Sequence, residues 1–587
     1  MKFTTYATMM MALSSSPITF ASTDDTDAIK ETKMNYPINV IAQNYTDSEG
    51  VLLQGFLSTP NTTTTTTTTG DDKVPAVVIL HDSSGIDAYE KQRATMIATD
   101  LGYVAFAADI FGVETDIPED TGGWGGPYAA FIGSFTGNAT LFTQRIVAAV
   151  DHVQSLPYVD ETKVAIIGYC LGGTGVVHYI NVAGEKEGGA AAVVGVHPSL
   201  FGSWGEPLGK INIPSLFLTG GNDFLTGPQA MTTLEDDMKT ASTVEWETNR
   251  YSDIDHAFSN WFSENYNARA DERSWNSLRT FLADKFGQSD DSFQFLGSTD
   301  CCSGVSINSY SRDEDDTSTI GARNYVVKAD NVYVCGEVYC KVPVVIILPD
   351  KSESGIQFAT QRGIQIAKRY GYAAWIAKGD APTREHLEDV GYIDSEQVVL
   401  EGYGSGTQDA LNFAMGGSTE GDYLIKAISI FQVPENITAA VDATSMTTYK
   451  PQILISSGVD GDAMPAIVEL ESMLIGMDAN YEINRYSDAS AMFTNWNYPD
   501  ESYNQYAAGR SFGTVETIYR EIFGESPKAI PQQTEAPTPT EAPTPTEAPA
   551  PVPSSVPLTS ATSGARGFEV MTVSSCAVVA LVFMLLM

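Results

Sequence analysis

The chain has 587 residues, with Lys+Arg 33 against Asp+Glu 74 and a formal net charge of −41. That charge excludes a nucleic-acid binder working by phosphate neutralisation and argues against docking on anionic lipid through a basic patch. Hydrophobic residues at 43% and aromatics at 10% exclude a disordered chain, and six cysteines are too few for a disulfide-framework domain.

Residues 1–21 read as a secretory signal peptide. Lys2 supplies the positive end, Ala7 to Leu13 the apolar stretch and Thr19-Phe20-Ala21 a small-residue cleavage site. N-x-[ST] sites at Asn44, Asn61, Asn138 and Asn436 fit the same route. The unbroken Thr62 to Thr69 run is a solvated loop.

A long internal repeat organises residues 30–524. VPAVVILHD (Val74 to Asp82) returns as VPVVIILPD (Val342 to Asp350), and YVDETKVAIIGYCLGGT (Tyr158 to Thr174) as YIDSEQVVLEGYGSGT (Tyr392 to Thr407). PSLFLTGGND (Pro214 to Asp223) returns as PQILISSGVD, and RYSDIDHAFSNW (Arg250 to Trp261) as RYSDASAMFTNW. The spacing implies two tandem units, 30–288 and 303–524, the second having lost about 33 residues opposite Gly122 to Phe135.

Within the first unit, apolar runs at Val77 to Leu80, Val104 to Ala107, Val164 to Ile167, Ala192 to Val196 and Leu216 to Leu218 predict strands buried on both faces. Segments 88–101, 141–155, 171–182, 227–240 and 266–286 predict amphipathic helices. This alternation predicts an α/β fold, a mostly parallel sheet flanked by helices, with sites beyond the strand C-termini.

The strand VAIIGY runs through Cys170 and LGGT into a helix. This is a strand–nucleophile–helix turn, with glycines where Cβ atoms do not fit and a cysteine at a helix N-terminus that favours thiolate. Asp223 and His256 follow in the order of acid and then base, each expected after an apolar strand.

On HDSSG (His81 to Gly85), GYCLGG (Gly168 to Gly173), the GGND strand end, HAF (His256 to Phe258) and the Tyr266…Arg273-Ser274-Trp275 helix, the chain closely resembles the dienelactone hydrolase family. The resemblance covers nearly all of the first unit and, in degraded form, the second. It implies two tandem α/β-hydrolase domains. It further implies a triad with Cys170 as nucleophile, His256 as base and then acid, and Asp223 as orienter. An oxyanion hole would be formed by the backbone N–H groups of Ser83 and Leu171. The family's type members have Glu at the place of Asp82, where its carboxylate gates the thiol; Asp82 is the candidate for that role here. They also carry a Ser after the His and a substrate-holding Arg, where this chain has Ala257 and Asn260. With those departures, the expected substrate is a small ester, lactone or thioester rather than a dienelactone anion.

In the second unit Gly404 and Ala491 stand where nucleophile and histidine would be, so a non-catalytic domain is expected. Cys301, Cys302, Cys335 and Cys340 cluster at its start and can form two disulfides in three connectivities, leaving Cys170 as the odd thiol. Their spacing could also hold zinc, but a secreted chain favours disulfides, and no metal or cofactor is expected.

Residues 525–562, with TEAPTP repeats, read as an extended, disordered stalk. Ser563-Gly564-Ala565, a polar spacer and the apolar tail from Val570 match a GPI-anchor signal over 563–587, with Ser563 the lipid-bearing residue. The resulting expectation is a surface-held hydrolase that meets the membrane only through its anchor. The alternative is a cell-surface binding or structural protein without turnover.

Overall fold

The computed structural model describes residues 23–524 apart from 61–72, 120–125, 184–188, 201–207, 210, 289–304, 311–323, 330–333, 336–337, 340, 379–380, 416–424, 434–449, 459–462, 491 and 498–502. The first half contains α1 (Thr23–Met34), β1 (Ile41–Thr46), β2 (Leu52–Ser58), β3 (Val74–Leu80), α2 (Ala88–Met96), β4 (Val104–Ala108), α3 (Pro127–Thr136), α4 (Ala139–Gln154), β5 (Val159–Tyr169), α5 (Leu171–Ala183), β6 (Ala192–Val196), β7 (Ser215–Gly220), α6 (Pro228–Ala241), β8 (Trp246–Tyr251) and α7 (Ala268–Lys285). The second contains β9 (Val305–Tyr310), β10 (Asn324–Ala329), a small hairpin of β11 (Val334–Cys335) and β12 (Val338–Tyr339), β13 (Val342–Leu348), α8 (Glu353–Tyr370), β14 (Ala373–Ile376), α9 (Arg384–Asp389), β15 (Ile393–Tyr403), α10 (Gly406–Met415), β16 (Ile425–Phe431), β17 (Gln452–Gly458), α11 (Ala463–Gly476), β18 (Tyr481–Tyr486) and α12 (Gln505–Phe523).

The apolar runs form strands of one 16-stranded sheet, in the order β1-β2-β4-β3-β5-β6-β7-β8-β18-β17-β16-β15-β13-β14-β10-β9. Strands β4-β3-β5-β6-β7-β8 are parallel to one another. Their residues alternate between two cores, as a period-2 strand requires. Val77 and Ile79 pack with Tyr89 of α2 and Phe281 of α7. Ala76, Val78 and Leu80 pack with Phe142 of α4 and Val176 of α5. The second half repeats this with Val345 and Ile347 on one face and Val344, Ile346 and Leu348 on the other.

The same strand order runs inward from both ends of the sheet and meets at β8 and β18. Those two strands pair antiparallel, Asn249 opposite Asn484. The parallel strands of the two halves therefore point in opposite directions, and their carboxyl ends lie at opposite edges of the sheet. Between β4 and β5 the first half has α3 and α4, whereas among the described residues between β14 and β15 the second has only the short α9. That difference falls where the sequence places the deletion.

Two expectations change in detail. The helix expected over 88–101 is α-helical only to Met96 and continues as a π-helical turn, Ile97–Leu101, stopped by Gly102 at φ 72. Helix α1 starts at Thr23, and its Lys30 Nζ donates to Ser263 O at 2.8 Å. The strand before His256 is not apolar: β8 reads WETNRY and is buried along its whole length.

The signal peptide, stalk and anchor, with Ser563, lie outside the described residues. So do Asn61, Asn436, Cys301, Cys302, Cys340, Asp460 and Ala491, while Cys335 is described only as part of β11. No helix among the described residues is long and apolar enough to cross a membrane.

Candidate active site

Strand β5 ends at Tyr169 and α5 begins at Leu171, so the chain turns on Cys170 alone, at φ 50. A residue with a side chain takes this left-handed conformation at a cost of about 1–2 kcal/mol, and only where surroundings enforce it. The flanking glycines permit it. A Cβ on Gly168 would lie 2.1 Å from Gly172 O, and one on Gly172 would lie 2.4 Å from Leu80 O. The turn thus packs directly against the end of β3, whose Leu80 is in register with Gly168.

His256 joins the other two groups. Its Nε2 is 3.0 Å from Cys170 Sγ, and its Nδ1 is 2.8 Å from Asp223 Oδ2. The Asp223 carboxylate is buried, and its second oxygen accepts from Leu225 N at 2.9 Å. Burial by itself would lower the His256 pKa. The facing Cys170 sulfur and the Asp223 hydrogen bond and charge outweigh it and push the imidazole up to about 10. The sulfur, partly exposed, also lies 3.6 Å from Ser199 Oγ.

Behind His256 is a buried polar chain that the sequence motifs do not reveal. His197, at φ 37 just past β6, stands edge-on to His256 with ring centroids 5.1 Å apart. Its Nε2 is 2.9 Å from Ser259 Oγ, which is 2.9 Å from Tyr89 OH. Arg93 donates to Tyr89 OH at 3.2 Å and to Ser259 O at 3.0 Å, and forms a buried ion pair with Asp271. Burial, with the neighbouring His256 adding to it, holds His197 well below the ordinary histidine value, so it is neutral. The chain ties the loop carrying His256 to α2 and α7. His197-Pro198 directly after a buried strand is the one sequence signal that could have found it.

The remaining expected residues divide. Leu171 opens α5, so its N–H is one of the helix's orphan donors. Ser83 follows the adjacent strand β3, and its carbonyl accepts from Tyr128 OH at 3.0 Å. Asp82 does not meet the thiol in the contacts described. Its Oδ1 accepts from Ser84 N at 2.7 Å and Ser84 Oγ at 2.5 Å, and Asn260 Nδ2 lies 3.4 Å from its Oδ2. The short Asp82 side chain thus closes a turn on its own loop, while the sulfur faces His256. Asn44 is exposed on β1, and Asn138 is exposed at the cap of α4 with its oxygen accepting from Leu141 N.

In the second half the turn survives without its nucleophile. Gly404 has φ 54, and the space where its Cβ would stand is 2.8 Å from Asp350 Oδ2. That carboxylate accepts from Ser405 N at 3.2 Å and Ser405 Oγ at 3.0 Å. A cleft of about 620 Å³ between α7 and α12 is lined by Arg273, Arg279, Arg369 and Arg520 among others, and touches none of Cys170, Asp223 or His256.

A mostly parallel helix-flanked sheet with a sharp strand-to-helix turn after its fifth strand has the architecture of the α/β-hydrolase fold. Residues 62–286 match the model of the dienelactone hydrolase family. A protein of Aquifex aeolicus (strain VF5), provisionally named a carboxymethylenebutenolidase, is 24% identical over 246 residues, 40% of this chain and 96% of that protein. Protein usf of Aquifex pyrophilus is 23% identical over 242 residues, 40% and 95% of the two chains. Among solved structures, a dienelactone hydrolase-like promiscuous phosphotriesterase from metagenomic libraries is 23% identical, covering 42% of this chain and 98% of its own, at a TM-score of 0.36. The family supports hydrolase activity.

Proposed function

We propose that the first half hydrolyses small neutral esters, lactones or thioesters through an acyl-cysteine intermediate. The observation that carries this is the bridge from Cys170 Sγ through the His256 ring to the buried Asp223 carboxylate. Asp223 holds the ring so that Nε2 faces the sulfur, and the proton rests on the imidazole. The sulfur attacks the acyl carbon, and the carbonyl oxygen takes its negative charge beside the N–H groups of Leu171 and Ser83. His256 gives its proton to the departing alkoxide or thiolate. Water then attacks the thioester while Nε2 takes its proton, and the acid leaves as sulfur is released. Asn260 and Asp82 offer no cation for a carboxylate substrate, which favours a neutral acyl group.

Secreted protein ending before the stalk, assayed on aryl esters and lactones, should lose on the order of 10³-fold or more in kcat with Cys170→Ala. Equal turnover by both proteins would refute the reading.

The second half serves as a non-catalytic support. Asp350 occupies the space of a nucleophile side chain, and the opposed sheet edges keep that half from walling the first half's site. The terminal segments support secretion, N-glycosylation and a glycolipid anchor at Ser563. Phosphatidylinositol-specific phospholipase should release the protein from intact cells; retention while control anchored proteins are released would favour a transmembrane tail.

A further inference from the structure

The groups joining the two halves come in exchanged pairs about the Asn249–Asn484 centre of the β8–β18 ladder. Ser252 N donates to Tyr481 O at 2.9 Å and Ser252 Oγ accepts from Tyr481 N at 2.8 Å. On the other side Ser487 N donates to Trp246 O at 2.9 Å and Ser487 Oγ accepts from Trp246 N at 2.7 Å. Arg273 of α7 pairs with Glu482 of β18 at 2.9 Å, and Arg510 of α12 pairs with Glu247 of β8 at 2.7 Å. Arg250 of β8 pairs with Glu471 of α11 at 2.6 Å, and Arg485 of β18 with Glu235 of α6.

These partners hold matching places in the two halves. Trp246 to Ser252 reads WETNRYS, and Tyr481 to Ser487 reads YEINRYS. Helices α7 and α12 are capped by Asn267 and Asn504, and their arginines stand equally far from the cap. Each half therefore carries both members of every pair. A patch that meets its own copy about a twofold axis must be self-complementary in this way, whereas two unrelated patches need not be.

We infer that the chain is a homodimer drawn into one polypeptide, and that the face formed by β8, α6 and α7 fits a second copy of the same half. This explains why a strand reading WETNRY lies at the centre of a sheet. Its charges are buried only because the other half supplies their partners, and alone it would be an open edge. The contact also bears on the site. The ladder stitching ends at Ser252, on the segment that carries His256, where Asp253 and Ala257 hold positive φ of 54 and 63.

The test uses the full chain and reads mass rather than catalysis, so it stands apart from the proposed hydrolysis. Glu247→Arg with Arg273→Glu sets like charges against Arg510 and Glu482 within the chain. Two such chains, paired first half to first half, would again oppose unlike charges. Analytical ultracentrifugation should show about twice the wild-type mass. Adding Glu482→Arg, Arg510→Glu and Glu521→Arg, the last because Glu521 also binds Arg273 at 2.5 Å, should return the wild-type mass. Wild-type mass for a cooperatively melting first variant overturns the inference, as does a doubled mass that persists in the second. If the first variant does not melt cooperatively, the wild-type chain decides, carrying a protease site within 289–302 and cut there. Its halves should elute as one species at micromolar concentration, and their separation overturns the inference.

Discussion

Replacing Asp223 by Asn tests the site most sharply, because it changes charge with almost no change in shape. One Asp223 oxygen holds His256 Nδ1 at 2.8 Å and the other takes the Leu225 N–H at 2.9 Å. An amide cannot do both as an acceptor. Either its NH₂ faces Leu225 N–H, which leaves two donors opposed in a buried site, or it faces Nδ1 and turns the ring to the tautomer that protonates Nε2. The electrostatic consequence is as large. Burial is the strongest influence on His256 and opposes its charge; only Cys170 and Asp223 hold it up at about 10. Each tenfold change in proton affinity is about 1.4 kcal/mol, so the held proton represents several kcal/mol that Asp223 shares with Cys170. We expect kcat/KM for an aryl ester to fall about 10³- to 10⁴-fold. Wild-type activity should decline as pH rises through about 10, where His256 loses the proton it gives to the leaving group. The high-pH limb of the variant should move down by about a pH unit or more. Initial rates across pH, with near-ultraviolet circular dichroism to establish folding, would measure both. A folded variant within tenfold of wild type, or an unmoved limb, would refute this account of the triad.

Three further outcomes rest on the same geometry. His256 is held protonated more firmly folded than unfolded, so its stabilising contribution is complete below 6.5 and lost as pH climbs through about 10; the melting-temperature gap between wild type and His256→Gln should shrink across that window. Arg93→Met leaves Asp271 buried without its cation and should destabilise the fold by about 3–5 kcal/mol in urea unfolding, while a loss below about 1 kcal/mol would mean that water reaches the carboxylate. Gly404→Cys with Ala491→His should not create esterase activity above that of Cys170→Ala when built into that background, because the new Cβ meets the Asp350 carboxylate at 2.8–3.2 Å; triad-dependent turnover there would show that the second scaffold had stayed competent.

Much of this protein is legible in its sequence, for identifiable reasons. Parallel strands covered on both faces are mostly apolar where they are buried, so β3 to β7 announce themselves as runs. The nucleophile turn is readable because its sterics leave only glycine at 168 and 172. Asp223 and His256 can be named from chain order, since each loop leaves the carboxyl end of a successive strand.

The misreadings lie where a residue's role depends on what is distant in sequence. His197, Ser259, Tyr89 with Arg93, and Asp271 form one buried chain from four separate parts of the sequence. At 404 the backbone would accept a cysteine, since Cys170 holds φ 50 and Gly404 φ 54, and it is Asp350 that blocks one.

Local composition thus determined the sheet, its two cores and the nucleophile turn, because burial and sterics act there on neighbouring residues. Tertiary structure alone decided the junction. Strand β8 carries Glu247, Thr248, Asn249 and Arg250, a pattern that suits a solvated edge, yet all four are buried. Glu247 and Arg250 are held there by opposite charges, Arg510 of α12 and Glu471 of α11, from more than two hundred residues away. A polar strand is stable at the centre of a sheet only when its partners arrive with it, and nothing in its own sequence states that they do.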